Sequence, residues 1–408
     1  MYLKLAWRNI WRNKRRSFIA IASVFYAVLL ASLLMSIQMG TVQQMVTTVA
    51  GFYTGYIQVH EKGYWDDQTL DNTLLENDSL SKALKANPNI IQAVPRLETF
   101  ALACAEDATK GIMLTGIDPV KENSLSAINK KIIEGSYFTS DSEDAVILAQ
   151  GLASYLKLKV NDTLVILGQG YHGMSAAGKY PIKAIIKMAS PDLNKSLAFI
   201  PLKQNQTLFS AQGRLTSYAI VIDDPDNVDK TVKYLDKQID TTHTYEVLGW
   251  KDMMPELDQT IRGKMASNTI ILGVLYLIVA FGIFGTVLMM TNERMYEFGV
   301  LTAIGMKRFR LALVTCFESL LVSFIGAIIG LFISLPVVLY FVHFPIPAPA
   351  SLKSTFEQYG IPPYIQAIFK PEYFINQAII IFVIALLICL YPLTKISKLK
   401  PVEAMQGE

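Results

Sequence analysis

NERMYEFGVLTAIGMKR, residues Asn292–Arg308, is a short charged segment set between two long apolar runs, Ala266–Asn292 and Leu311–Val342. Its acids Glu293 and Glu297 lie four residues apart and open an expected helix that ends in Gly305 and the basic cluster Lys307, Arg308 and Arg310. The flanking runs exceed the roughly 20 apolar residues that a helix needs to cross a bilayer. Phe18–Met39 has no ionisable residue over 22 positions, and Phe374–Leu393 is a fourth such run. Hydrophobic residues make up 52% of the 408 and charged residues 17%, below the roughly 25% of soluble domains. The segment is therefore read as a handle on one side of a membrane.

Basic residues set the expected orientation by the positive-inside rule. Lys4, Arg8, Arg12, Lys14, Arg15 and Arg16 precede the first run, Arg294, Lys307, Arg308 and Arg310 separate the second and third, and Lys395, Lys398 and Lys400 follow the fourth. Both termini are expected in the cytoplasm. The fold class that follows is an α-helical membrane protein with four transmembrane helices and a large α+β extracytoplasmic domain inserted between helices 1 and 2. The expected order is an interfacial amphipathic helix over 1–16, a first span over 17–40, the outer domain over 41–265, a second span over 266–291, a cytoplasmic helix over 292–310, a third span over 311–342, an outer loop over 343–373, a fourth span over 374–393 and a cytoplasmic tail over 394–408. The net charge of +3 is absorbed by this topology, and no nucleic-acid patch is expected.

The first run is longer than the 7–15 residues of a signal-peptide core, and no small-x-small site follows Met39, so it is expected to stay as an anchor. Ahead of it, Leu3, Ala6, Trp7, Ile10 and Trp11 share one helical face, as in helices that lie in the membrane interface.

In the outer domain, strands are expected at 55–59, 99–104, 111–116, 163–167, 181–188, 217–222 and 244–248, and helices at 77–86, 149–156 and 226–239. The last strand, helix and strand make a βαβ-like unit, with a strand-rich distal subdomain at about 95–188 set into it.

Catalytic chemistry is sparse. His60, His172, His243 and His343 stand in no metal-ligand spacing, so no metal site is expected. Cys104, Cys316 and Cys389 give no disulfide framework, and Asn77, Asn161, Asn194 and Asn205 head glycosylation triplets that arise readily by chance. Gly173, Gly178 and Lys179 match most of a phosphate-binding loop, but Tyr180 stands where the pattern needs a Ser or Thr hydroxyl for Mg²⁺, and a glycine-rich surface loop is expected instead. With no other Walker-type sequence in the chain, any ATP-driven work must be powered by another subunit. In the third run Glu318 is the one ionisable residue; either it is functional, as intramembrane carboxylates commonly are, or it pairs at the boundary with a basic residue such as Arg310. Gly326 and Gly330 form GxxxG, a pattern that permits close helix approach or dimer contact, and Pro336 is expected to kink or end its helix.

Together LAWRNIWRNKRRSFIAIAS at the N-terminus, NERMYEFGVLTAIGMKR with Glu318 after it, and YPLTKISKLKPVEAMQ at the C-terminus resemble the FtsX-like permease family of ABC transporters. ILAQGLASYLKLKVNDTLVIL and GYIQVHEKGY are most similar to lipoprotein-releasing permeases, less so to macrolide exporters with a fused ATPase or to the cell-division branch. The resemblance implies a cell inner-membrane half-transporter that pairs as a homodimer or with a paralogue, above two copies of an ABC ATPase that bind ATP and Mg²⁺; no cofactor is expected in this chain. It places ATPase coupling on Glu293, Arg294, Glu297, Gly299, Ala303, Ile304 and Gly305. Apolar Phe298, Leu301 and Ile304 would fill a groove on that partner. A lipoprotein cargo, handed to a periplasmic carrier, would enter from the outer leaflet between the first and second spans of opposing subunits, where Phe25, Leu33, Ile37, Leu277, Phe281 and Phe284 are cleft candidates. Energising a tripartite efflux system and signalling to a cell-wall hydrolase are the alternatives.

Overall fold

The computed structural model describes residues 2–12, 14–106, 108–239, 244–351, 353, 356 and 362–398. His243, Lys400 and the tail beyond Lys398 lie outside the described residues, as do the side chains of Leu3, Lys4 and Arg16. The chain divides into two compact units, one helical (Met1–Val42, Ile261–Pro347, Tyr364–Glu408) and one built on a sheet (Gln43–Thr260, Ala348–Pro363).

The helical unit begins with α1 (Tyr2–Arg12) and α2 (Lys14–Val46), the latter followed by a π-helical turn at Thr47–Thr54. In the sheet unit the strands are β1 (Ile57–Glu61), β2 (Leu74–Leu75), β3 (Ile90–Cys104), β4 (Thr109–Ile117), β5 (Ile132–Gly135), β6 (Val146–Ala149), β7 (Thr163–Gln169), β8 (Ser175–Ile186), β9 (Leu197–Pro201), β10 (Arg214–Leu215), β11 (Ser217–Ile222) and β12 (Tyr245–Gly249). Its helices are α3 (Asp78–Lys85), α4 (Pro119–Leu125), α5 (Gln150–Leu156), α6 (Pro191–Ser196), α7 (Leu202–Leu208), α8 (Val228–Gln238) and α9 (Trp250–Met253). Next come α10 (Pro255–Glu293), α11 (Met295–Ala303), α12 (Arg308–His343), α13 (Pro371–Ile388) and α14 (Leu390–Ser397).

Among the described residues four helical stretches are long and apolar enough to cross a membrane: Ser17–Val46, Pro255–Glu293, Arg308–His343 and Pro371–Ser397. Their shared core is built from small and branched side chains: Val24, Ala27, Val28 and Ala31 of α2, Ile283 and Val287 of α10, Ala327 of α12, and Ile381 and Ala385 of α13. The GxxxG pair is used inside the chain. A Cβ on Gly326 would lie 2.8 Å from the Ile21 carbonyl oxygen and from Val24 Cβ, and one on Gly330 2.8 Å from Val28 Cβ. Both glycines therefore let α12 pack directly on the backbone of α2, the close helix approach that the pattern permits. Pro336 does not end its helix, which runs seven residues further to His343.

Towards the C-terminal end of α2, the Ser36 hydroxyl donates to the Ile368 carbonyl, and the Ile368 N–H returns a bond to the Ser36 carbonyl at 3.1 Å. A side chain at Gly40 would overlap the Gln366 carbonyl. The Tyr276 hydroxyl of α10 donates to Gln377 Oε1 of α13, so an amide buried in apolar surroundings is partnered.

The sheet unit is one hydrogen-bonded system in which β3 plays two parts. Its first half pairs with β11, and β11–β1–β12 continue outward, with β11 and β12 both antiparallel to the β1 strand between them. The connection through α8 makes this a split βαβ unit. From Arg96 onward β3 joins a ring, β3–β4–β9–β6–β8–β7 and back to β3, so six strands close on themselves. This ring occupies the place of the distal subdomain set at about 95–188, but it needs β9 and so reaches Pro201. Closure removes exposed edges. Helix starts follow local chemistry: Asn77 accepts from Ser79 N, Asp118 from Val120 N and Lys121 N, and Ser190 from Leu193 N.

The glycine-rich loop expected at Gly173–Lys179 is a correction. Gly178 and Lys179 lie within β8, opposite Ile166 and Val165 of β7, and only Tyr171–Gly173 form a turn. Buried Ala176 and Tyr180 alternate with exposed neighbours, and that period of two overrides the glycines. The turn is pinned: Arg214 Nη2 donates to the Tyr171 hydroxyl at 2.6 Å and His172 N–H to Asp71 Oδ1 at 3.0 Å.

His60 on β1 is 1% exposed, donates from Nδ1 to the Thr216 carbonyl at 2.8 Å and stacks on Tyr64 at 5.1 Å. Burial pushes its pKa down to about 4, against a partial lift from the Thr216 carbonyl. The unfolded chain, titrating near its ordinary 6.5, then takes up a proton that the folded domain refuses. Stability is full above about pH 6.5 and falls as pH drops towards 4, by about 3 kcal/mol in total. Denaturant unfolding of the full chain at pH 7 and pH 4.5 checks this; His60→Gln should flatten the slope, and an unchanged slope would count against it.

Candidate functional site

The segment between the second and third spans is held by chemistry that begins with a break. Helix α10 runs to Glu293, and Arg294 leaves helical geometry at φ −103°, ψ 5°. Glu293 therefore closes the long helix rather than opening the short one, and of the two acids only Glu297 sits in the first turn of α11. A carboxylate there is favoured by the helix dipole. At the other end Gly305 adopts φ +103°. Its N–H donates to the Thr302 carbonyl at 3.1 Å and Met306 N–H to the Leu301 carbonyl at 3.0 Å, a Schellman closure.

Four side chains of alternating charge tie this segment to two other helices. Arg12 Nη2, from α1, donates to both Glu297 oxygens at 2.9 and 2.8 Å. Arg294 Nε donates to Glu297 Oε2 at 3.3 Å, and Arg294 Nη1 to Glu318 Oε2 of α12 at 2.6 Å. Partial burial raises the Glu297 pKa, but Arg12 and Arg294 outweigh it and hold the carboxyl below its usual range. Glu318, 2% exposed at its side chain, is thus paired with Arg294, so the boundary pairing offered as one of its two readings is met by a different basic residue than Arg310. The break at Arg294 explains this, since it turns the guanidinium back towards α12.

The expected apolar stripe divides in two. Phe298 is 3% exposed and packs with Leu311, Ala312 and Ile396, with the Arg294 guanidinium 5.5 Å over its ring. It belongs to this chain's own core and is not free to fill a partner's groove; Gly299 is buried beside it. Leu301, Ala303, Ile304 and Gly305 are exposed, Ile304 at 79%. Tyr296 and Phe309 are also exposed and extend this apolar surface; neither was singled out in the sequence, although both lie within three residues of residues that were. Arg12, which the sequence offered only as a topology charge, is the other addition.

Ala6 and Ile10 of α1 are buried, and Ile10 packs with Ala20 and Val322, whereas Trp7 and Trp11 are exposed and meet edge to face at 5.9 Å. The single apolar face expected for this helix is thus two adjoining faces, one against the bundle and one bare.

Of the candidates for a cleft between opposing subunits, three lie on α2 and three on α10. Leu277 and Phe281 project from α10 at 56% and 68% exposure, while Phe284 packs edge to face on Tyr391 at 5.2 Å. Phe25, Leu33 and Ile37 are half-buried on α2. Helical period is the cause: Tyr276, Val279, Ile283 and Val287 take the inward face of α10, and Leu277 and Phe281 fall beside it. No group of three or more His, Cys, Asp or Glu among the described residues could hold a metal ion.

Residues 269–401 match the model of the FtsX-like permease C-terminal domain. The lipoprotein-releasing system transmembrane protein LolE of Haemophilus influenzae is 26% identical over 36% of this chain and 36% of its own length. The corresponding LolC of Xylella fastidiosa is 20% identical over 60% of each. The macrolide export ATP-binding/permease protein MacB of Agrobacterium fabrum is 21% identical over 82% of this chain and 52% of its own length. The match thus spans between about one third and three fifths of each of these relatives. Among solved structures, the periplasmic region of MacB from Actinobacillus actinomycetemcomitans aligns over 54% of this chain and 98% of its own at 14% identity and a TM-score of 0.38. The extracellular domain of the noncanonic ABC-type transporter YknZ from Gram-positive bacteria aligns over 47% and 99% at 16% identity and 0.35. In its C-terminal third, from the second span to the end of the fourth, this chain carries a domain of the FtsX-like permease family.

Proposed function

We propose that this chain is the permease subunit of an inner-membrane ABC transporter, with both termini cytoplasmic, and that α11 receives a separate ATPase. The observation that carries the reading is the rigid presentation of exposed Leu301, Ile304 and Gly305 at the end of a helix whose other face is locked into the bundle. An exposed apolar helix end bordered by Lys307, Arg308 and Arg310 has no use in isolation. ATP and Mg²⁺ are bound by the partner, two copies of which serve a pair of permease chains. Closing of the ATPases moves α11, and the first two spans pass that motion to the outer domain. The cargo is a lipoprotein drawn from the outer leaflet of the inner membrane and handed to a periplasmic carrier, in keeping with the likeness to lipoprotein-releasing proteins.

Ile304→Asp with Leu301→Asp tests the docking directly, because neither side chain is part of the core. ATPase co-purifying with the full chain is expected to fall at least tenfold; undiminished recovery would sink the reading. Glu297→Lys with Glu293→Lys is expected to act in the same direction, though it also repels Arg12 and Arg294. For the cargo, depletion of the protein should leave lipoproteins in the inner membrane. A second reading, energising an efflux system, is favoured by the greater share of this chain that aligns with MacB; unchanged lipoprotein sorting with raised sensitivity to exported compounds would select it.

A further inference from the structure

A fully buried ion pair of the outer domain sits where three parts of it meet. Arg96 is 0% exposed and pairs across β3 with Ser217 of β11 on one side and Ile117 of β4 on the other, so it stands where the split βαβ sheet passes into the closed ring. Its guanidinium meets Glu122, Tyr53 and, with Nη1 3.7 Å from Oε1, Glu98. Nε donates to Glu122 Oε2 at 2.9 Å, Nη2 to Glu122 Oε1 at 2.5 Å, and Nη1 to the backbone carbonyl of Tyr53. Glu122, also 0% exposed, accepts a further bond from the Ser126 hydroxyl at 2.5 Å. The Tyr53 ring lies 5.0 Å under the guanidinium, and its hydroxyl meets Thr115 Oγ1 at 3.0 Å.

Tyr53 is the residue that gives this arrangement its interest. It lies near the end of the π-helical turn Thr47–Thr54, which continues directly from the 33-residue helix α2. Such π-helical turns are rare and frequently sit at functional sites, and this one is the link between helix α2 and strand β1. Glu122 takes up only the Nε and Nη2 side of the arginine. Here one of its arms is spent on a main-chain carbonyl of the connecting turn, and the ring and hydroxyl of the same residue are gripped as well.

We infer that Arg96, backed by Glu122, is a positioning residue that anchors the end of the turn leaving the first span onto β3, so that displacement of that span reaches both sheet parts instead of being lost in the turn. This rests on the reading of the chain as a force-transmitting permease. Removing one partner alone leaves a buried charge and is expected to unfold the domain, whereas replacing a buried pair by apolar residues of similar size is commonly tolerated. The test is therefore Arg96→Met together with Glu122→Leu in the full chain, assembled with its ATPase.

Amide hydrogen exchange at residues 53–57 is expected to rise at least tenfold, with exchange in β3 and β4 unchanged. In proteoliposomes, ATP hydrolysis should stay within twofold of wild type while release of a triacylated lipoprotein falls at least tenfold. Unchanged exchange, or unchanged release at normal hydrolysis, would overturn the inference. Thr115→Val, which leaves the ion pair intact and loosens only the Tyr53 hydroxyl, guards against a folding failure of the double variant: a two- to fivefold rise in the same exchange is expected, and none would count against the anchor. A wild-type chain that releases no lipoprotein would count against the transport reading, and the exchange measurements then decide the anchor by themselves.

Discussion

Glu318→Ala is expected to cost about 3–5 kcal/mol, enough to lose the proposed ATPase docking as well as much of the bundle's margin. The reason is the state in which it leaves Arg294. In the native chain that guanidinium, 11% exposed, spends one nitrogen on Glu318 at 2.6 Å and another on Glu297 at 3.3 Å. Without Glu318 its inner nitrogen faces Phe298 and the buried face of α12 with no carboxylate, and it must either stay desolvated or swing out and take α11 with it. The outer pair cannot compensate, since Arg12 and Glu297 are about half exposed and such pairs contribute roughly 0–1 kcal/mol. Thermal unfolding in detergent and ATPase co-purification read the two consequences. Arg294→Met with Glu318→Leu should regain most of the stability but not the fixed angle of α11, so melting recovers while ATPase stimulation does not. Recovery of both would reduce the pair to a structural filler, and an unshifted melt for Glu318→Ala would dispose of the argument altogether.

How much of this was legible beforehand depended on the range of the signal. The spans follow from uncharged runs, and Gly305 ends α11 because a local backbone need selects glycine. Helices α3 and α8 announce themselves through Asn77 and through Pro225 and Asp226, although the cap before α8 proves to be Asp224. By contrast β6 and β9 are buried along their whole length, so Val146–Ala149 and Leu197–Pro201 carry no alternation and read equally as helix. The two ion pairs that matter most were hidden for another reason. Arg294 and Glu318 are 24 residues apart, and Arg96 and Glu122 are 26 apart. Each meets its partner only after a helical reversal or a strand turn, and for Glu318 the nearer Arg310 on the same helix was the more visible candidate. Phe298 misled in a simpler way: spacing put it on one stripe with Leu301 and Ile304, but only packing tells which part of a stripe faces home.

The glycines of the spans should separate into two classes with effects of opposite sign. At Gly326 even an alanine Cβ would sit 2.8 Å from the Ile21 carbonyl oxygen, and at Gly330 2.9 Å from that of Phe25. Backbone cannot yield there as a flexible side chain can, so α12 must move away from α2 along its whole contact. Gly326→Ala with Gly330→Ala is expected to destabilise by about 1–3 kcal/mol per site, and valine at either position by more. Displacement of α12 also carries Glu318 away from Arg294, so the loss of ATPase docking should accompany the loss of stability although neither glycine is near α11 in sequence. On α10 the case is reversed: Gly273, Gly282 and Gly285 have nothing within 4 Å of a built Cβ. Alanine there removes backbone freedom from the unfolded chain without a clash, and each substitution should leave the chain unchanged or stabilise it by up to about 1 kcal/mol. Melting temperatures of the five single variants, measured side by side with ATPase recovery, distinguish the classes. A destabilising Gly282→Ala would mean that the bare face of α10 is covered by another chain, and a neutral Gly326→Ala would mean that α2 and α12 do not share the close backbone contact on which the position of Glu318 depends.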